Sequence, residues 1–108
     1  MTDWNGKQLH QLIVSKWKYS YDVQLRRVKG KIYFQVMWKY LEQASFPLSE
    51  EEYFENLDAV ANYLVAWGGV EQVSNFITQT RERPRLGKAV SFALDLGGRE
   101  SEWILDDV

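Results

Sequence analysis

The segment of this chain with the most potential for chemistry is "RERPRLGKAV", residues 81–90, where four cations fall within eight positions. These cations are Arg81, Arg83, Arg85 and Lys88. Guanidinium groups donate paired hydrogen bonds to carboxylates and phosphates, so one interpretation is a docking loop for a partner. A second is an internal clamp that pairs with acidic side chains of the same chain. In either case, Arg81 and Arg83 suit the end of a helix, which Pro84 prevents from continuing.

A second basic segment surrounds Lys29-Gly30, the expected tip of a hairpin. Cations beside an exposed aromatic ring are typical of single-stranded nucleic-acid binding, and the residues that would make these contacts are Arg26, Lys31 and Tyr33. The alternative is a solvated hairpin whose charges discourage edge-to-edge association of sheets. The sequence leaves both interpretations open.

The side chains on which most enzymes depend are scarce. His10 is the single histidine and there is no cysteine, so neither a multi-histidine metal site nor a thiolate nucleophile can be built. The consecutive carboxylates of residues 50–52 lack the spacing of a calcium loop. No glycine-rich phosphate-binding motif is present. We therefore expect no enzyme, no cofactor and no bound metal.

The composition is that of one globular domain over residues 1–108. The chain is 45% hydrophobic and 26% charged, with a net charge of −2. Charge is polarised, because residues 48–80 carry six acidic and no basic side chains, whereas residues 1–47 carry eight basic and three acidic ones. Such polarity favours oriented association. No signal peptide or membrane-spanning run is visible, which predicts a soluble, cytoplasmic protein.

Helix and strand periodicities alternate along the chain. Asn5 with Gln8 predicts a capping box that opens a helix over residues 6–18. Alternating apolar residues on either side of Lys29-Gly30 predict a hairpin. A two-residue turn would pair three sets of residues: Leu25 with Phe34, Val23 with Val36, and Tyr21 with Trp38.

The second half of the chain predicts two helices and a strand. Ser49 and Glu52 form a second capping box, and Gly68-Gly69 ends that helix. A shorter helix follows, and alternation predicts a strand near residues 88–96. The expected fold is α+β, in the order helix–strand–strand–helix–helix–strand, with the helices on one face of a three-stranded antiparallel sheet. Residues 97–108 form a flexible acidic tail, and the apolar residues around Trp103 either dock weakly onto the domain or serve as a short recognition segment.

Two long stretches resemble a known family. "SYDVQLRRVKGKIYFQVMWKYLEQASFPLSEEEY" and "TRERPRLGKAVSFALDLG" are similar to an uncharacterised domain-of-unknown-function family of small soluble proteins from cyanobacteria and plastids. The resemblance extends over nearly the whole chain. It implies a cytosolic or stromal protein and a role in photosynthetic cells, but no activity, cofactor or catalytic residue.

Two functional hypotheses follow. The first is a non-enzymatic protein-interaction or assembly-factor domain with an unidentified protein partner, whose surface combines the four cations of residues 81–88 with part of the hairpin. The alternative is single-stranded nucleic-acid binding through the hairpin and the same loop. Neither hypothesis identifies the partner or the oligomeric state.

Overall fold

A computed structural model describes residues 4–96, which form three helices and a three-stranded antiparallel sheet. The elements are Gly6–Trp17 (α1), Tyr21–Val28 (β1), Lys31–Tyr40 (β2), Glu50–Trp67 (α2), Val70–Gln79 (α3) and Val90–Ala93 (β3). The strand order in the sheet is β1-β2-β3. The predicted α+β fold and its element order are confirmed. The predicted tail, residues 97–108, lies outside the described residues.

Both predicted capping boxes are present. The Asn5 side chain accepts hydrogen bonds from the first turn of α1, and the Gln8 side chain accepts from the Asn5 backbone N–H at 2.9 Å. Ser49 and Glu52 exchange the equivalent pair at the start of α2, at 3.1 and 2.9 Å. These reciprocal bonds satisfy backbone donors that would otherwise lack partners at a helix start. They explain why both starts could be read from the sequence.

The hairpin turn has the predicted two residues, Lys29 and Gly30. Their φ angles are 52° and 80°, and positive values at both positions define a type I′ turn, whose twist matches that of the strands. The predicted pairs of Leu25 with Phe34 and of Val23 with Val36 are confirmed.

The register differs from the prediction at the far end of the hairpin. Tyr21 pairs with Tyr40 and not with Trp38, because an irregularity in the ladder lies between Tyr21 and Val23. The Tyr21 and Tyr40 rings meet at 5.5 Å, and the Leu41 N–H donates to Ser20 O at 3.0 Å. Residue alternation carries no signal for extra residues in one strand, so the pattern alone extended the regular register too far.

The third strand is shorter than predicted, because ladder pairing covers Val90–Ala93 and not residues 88–96. The C-terminal part of the predicted strand, beyond the ladder, still makes defined contacts with the domain. The Leu94 N–H donates to Ile32 O at 2.9 Å, and the side chains of Leu94 and Leu96 are buried. No helix among the described residues is long and apolar enough to cross a membrane.

The core lies between the helices and one face of the sheet, here called the inner face. Tyr53 of α2 is fully buried there, and its hydroxyl donates to the Tyr21 carbonyl at 2.9 Å. The inner face contributes Val23, Ile32, Phe34, Val36 and Val90, all almost fully buried. The opposite, outer face carries a side-chain ladder in which Gln24 donates to Gln35 at 2.6 Å and Gln35 donates to Ser91 at 3.0 Å.

Removal of the buried hydroxyl should measure how strongly α2 is tied to β1. We expect Tyr53→Phe to lower the free energy of unfolding by about 1–2 kcal/mol, because the Tyr21 carbonyl loses its buried donor. Tyr63→Phe is the matched control on the same helix, since Tyr63 is 41% exposed, and it should change stability by less than about 0.5 kcal/mol. Urea unfolding of both variants would measure the difference. Equal stabilities would show that this hydrogen bond contributes nothing.

Candidate functional site

The basic loop, residues 81–88, is fixed to the domain at its start. The Trp17 indole N–H donates to Glu82 O at 3.0 Å, and the Glu82 N–H donates to the Thr80 hydroxyl at 3.2 Å. Pro84 is buried within an otherwise exposed segment. The helix before it ends earlier than predicted, at Gln79, and its last turn has no basic residue, so Arg81 and Arg83 lie beyond it. Trp17, at the end of α1, is therefore the main contact that positions the first cations of the loop.

The second half of the basic loop is a closed turn. The Arg85 N–H donates to Lys88 O at 3.0 Å, and the Lys88 N–H donates to Arg85 O at 2.7 Å. Gly87 takes a φ of 77°, which a residue with a side chain rarely adopts. Leu86 is consequently held at the tip with 92% of its surface exposed. Sequence reasoning missed Leu86, although a Leu-Gly pair between two cations was the available signal.

The four predicted cations of the basic loop are exposed and lie together. Arg81, Arg83, Arg85 and Lys88 line one concavity of about 170 Å³, together with Glu82 and Ala89. Within residues 4–96, no ion pair of 4.0 Å or less joins them to an acidic side chain. The clamp with acidic α2 is therefore not formed. These guanidinium donors remain available to a carboxylate or phosphate.

Further cations lie beside this concavity, but they come from α1 and not from the hairpin. Lys16 and Lys18 share a depression of about 450 Å³ with Trp17, Arg81 and Arg83. The Lys16 ammonium donates to Thr78 O at 3.1 Å, which holds it near the end of α3. Sequence reasoning missed both lysines, because nothing in a single sequence shows that the end of α1 meets the end of α3.

The basic residues of the hairpin lie near its turn, at a distance along β2 from the point where the basic loop meets the sheet. Arg26 pairs with Tyr33 as predicted, and the register places both, with Lys31, on the outer face. Val90, which follows the loop, pairs with Val36. Lys31 lies five positions before Val36 along β2, which corresponds to a distance of about 17 Å at ~3.4 Å per residue. The turn of the hairpin and the start of β3 are thus separated along the sheet.

His10 belongs to a small polar cluster with Ser20 and Glu42. Ser20 Oγ donates to Glu42 Oε2 at 2.7 Å, and Glu42 Oε1 accepts from the Ser20 N–H at 2.9 Å. Because the single hydroxyl proton points to Glu42, His10 Nε2 at 2.8 Å is the donor to Ser20 Oγ. Ser20 is only 3% exposed. The cluster therefore links α1 to the open end of the hairpin, where β1 begins and β2 ends, and does not present an activated nucleophile.

The pKa values of His10 and Glu42 are both lower than those of the free groups. Burial lowers the pKa of His10 below its ordinary 6.5, although Glu42 and Glu50 oppose the shift. Burial raises the pKa of Glu42, but the hydrogen bonds from Ser20 outweigh it and hold that pKa below 4.5. Neutral His10 and ionised Glu42 are thus the forms that the fold favours. In the described part of the chain, no three His, Cys, Asp or Glu side chains are grouped to hold a metal ion.

Comparison with known proteins gives one family and one solved structure. The model of the family described as "Domain of unknown function (DUF3067)" matches residues 7–104. The chain is 69% identical to the Alr2454 protein from Nostoc sp. strain PCC 7120, whose solution NMR structure superposes with a TM-score of 0.84. The match covers 94% of this chain and 99% of that one. No curated protein is significantly similar to the chain. The resemblance to an uncharacterised cyanobacterial family is confirmed.

The pH dependence of the free energy of unfolding tests the role assigned to the His10 cluster. The folded chain binds protons at His10 less readily than the unfolded chain does, so unfolding takes up a proton as the pH falls below 6.5. We expect the free energy of unfolding to fall between pH 7.5 and pH 5.5, and to fall less in His10→Gln, which keeps a side-chain N–H for Ser20. Urea unfolding at both pH values measures this difference. Equal pH dependence in the two proteins would contradict the assigned role.

Proposed function

The chain belongs to the DUF3067 family, and we propose that it is a non-enzymatic protein-interaction or assembly-factor domain that docks through its basic loop. The observation that carries this proposal is Leu86, which is 92% exposed at the tip of a closed turn and flanked by Arg85 and Lys88. One exposed leucine alone is ordinary on a protein surface. What supports docking is its place on a closed turn among four exposed cations, since an apolar centre within a polar rim is typical of interfaces.

The chemistry of the loop defines the partner. An apolar pocket would receive Leu86, and carboxylates around that pocket would accept paired hydrogen bonds from Arg81, Arg83 and Arg85. The turn at Arg85–Lys88 is already formed by two backbone hydrogen bonds, so little conformational entropy is lost on binding. The four exposed cations outnumber Glu82, the one acidic side chain in their concavity, so they would also steer an acidic surface into contact.

The proposal extends to the cell in which the domain acts. The similar Nostoc protein comes from a cyanobacterium, which supports a role in photosynthetic cells. A cytoplasmic location, stromal in plastid relatives, is part of the proposal. The absence of enzyme activity is part of the proposal. It rests on Ser20, which is buried and donates its proton to Glu42 instead of to His10.

Single-stranded nucleic-acid binding has less support from the geometry. That hypothesis draws on the hairpin and the basic loop together, whereas Lys31 lies about 17 Å, at ~3.4 Å per residue, from Val36, the partner of the first residue of β3. Tyr33 would also have to stack a base beside Arg26 without help from the basic loop. Binding of an oligonucleotide that weakens steeply with salt would favour this alternative.

A comparative pull-down tests the proposal. We expect Arg81/Arg83/Arg85→Ala and, separately, Leu86→Ser to lose the partners that the wild-type domain captures from a cyanobacterial lysate. The first variant removes the hydrogen-bond donors and the second removes the apolar anchor. Truncation of an interface anchor typically weakens binding at least tenfold, which corresponds to about 1.4 kcal/mol.

The matched control is Arg26/Lys31→Ala, which removes charge from the hairpin but leaves the basic loop intact. It should retain the same partners, and unchanged thermal unfolding would show that all variants fold. Capture of the wild-type set of partners by both loop variants would refute the basic loop as the docking surface.

A further inference from the structure

Strand β3 is an edge of the sheet, and two of its residues direct their backbone groups away from β2. The Leu94 N–H donates to Ile32 O at 2.9 Å, so alternation along an antiparallel ladder turns the even-numbered residues of β3 toward β2. Ser91 and Ala93 therefore direct their N–H and C=O groups outward. Within residues 4–96, no backbone hydrogen bond satisfies these outward groups.

Asp95 is the next residue whose backbone groups point outward. Its hydrogen bonds show which kind of chemical group pairs with this edge. The Gln72 side-chain amide donates to Asp95 O at 2.7 Å and accepts from the Asp95 N–H at 2.8 Å. This two-bond pattern is that of a hydrogen-bonded pair between antiparallel strands, with a side-chain amide in place of a peptide group. The side-chain amide of Gln72 thus already pairs with this edge at Asp95.

On β1, the other edge strand of the sheet, the outward backbone groups of Val23 are already hydrogen-bonded to side chains. The outward Val23 O accepts from the Asn56 side-chain N–H at 3.0 Å, and the Val23 N–H donates to Asp22 Oδ1 at 3.0 Å. Farther along, β1 carries the charged Arg26 and Arg27, which discourage pairing with another strand. An added strand is therefore better accommodated at β3.

A groove runs between the β3 edge and α3. It has a volume of about 430 Å³, and its apolar floor consists of Phe76 and Phe92, whose rings stack at 4.8 Å. Its rim carries the uncharged side chains of Gln72, Asn75 and Gln79. The groove is large enough for one aromatic or large aliphatic side chain, and its neutral rim places no charge against it.

Charge distinguishes the two ends of this groove. Thr80 lines both the groove and the depression that contains Arg81 and Arg83, so the basic loop adjoins the groove at the start of β3. Asp95 lies at the other end of the strand. A strand antiparallel to β3 runs toward the basic loop, which places the C-terminal end of that strand beside the cations.

We propose that the β3 edge binds an extended segment of a protein partner as an added antiparallel strand, with a large apolar side chain against Phe76 and Phe92 and carboxylates at the segment's C-terminal end beside the basic loop. The inference rests on the proposed protein-interaction function and adds the conformation and polarity of the bound segment. Backbone pairing supplies affinity, and the groove and the cations supply selectivity.

The probe is a displayed library of random twelve-residue peptides, selected on the wild-type domain. We expect enriched peptides to carry one large apolar residue followed, toward the C-terminus, by Asp or Glu. Ala93→Pro removes one outward N–H and no bond to β2, so it should weaken these peptides about three- to tenfold, the effect of one hydrogen bond. Ala93→Val is the matched control and should bind as the wild type does.

Hydrogen exchange by NMR distinguishes edge pairing from contact with the basic loop alone. A bound peptide should slow amide exchange of Ser91 and Ala93, and N-methylation of its pairing residues should abolish that protection. The methylated peptide keeps the test decisive if Ala93→Pro does not fold. Failure of any peptide to enrich would overturn the inference. Peptides that depend on Arg81, Arg83 and Arg85 but leave Ser91 and Ala93 unprotected would also overturn it, while leaving the proposed function intact.

Discussion

The buried hydroxyl of Tyr53 is the contact on which the arrangement of helices and sheet depends. Its bond to the Tyr21 carbonyl joins the first turns of α2 to the start of β1 at a fully buried position. The ring meets His10, Phe46 and Phe54 edge-on at 6.0, 5.9 and 5.2 Å. One side chain therefore contacts α1, the loop before α2 and the sheet. Burial also raises the pKa of this hydroxyl, which keeps it protonated and able to donate.

The position of α1 then fixes the proposed docking surface. Trp17, at its end, is 4% exposed and donates its indole N–H to Glu82 O, while buried Pro84 anchors the middle of the basic loop. From these anchors the turn at Arg85–Lys88 projects Leu86 into solvent. The exposed leucine is thus a consequence of core packing and not of a loose segment. The basic loop is therefore preformed in the free domain.

Local signals in the sequence predicted local structure well. Asn5 and Ser49 could be identified as caps because their partners lie three residues away. The pairing of Tyr21 with Tyr40 could not be predicted, because a ladder irregularity leaves residue alternation unchanged. The bridge from His10 through Ser20 and the separation of the two basic segments depend on contacts between residues distant in sequence. No spacing rule reports such contacts, so the sequence indicated which exposed residues carry charge but not how they are arranged.

Backbone ¹⁵N relaxation of the basic loop tests the claim of a preformed surface most directly. We expect the amides of residues 81–88, apart from Pro84, to show order parameters of about 0.85, equal to those of β2, because Trp17 and the closed turn hold the loop. Order parameters below about 0.6 in the loop, with β2 rigid, would show that the loop is flexible on the picosecond-to-nanosecond timescale. That result would contradict a preformed docking surface.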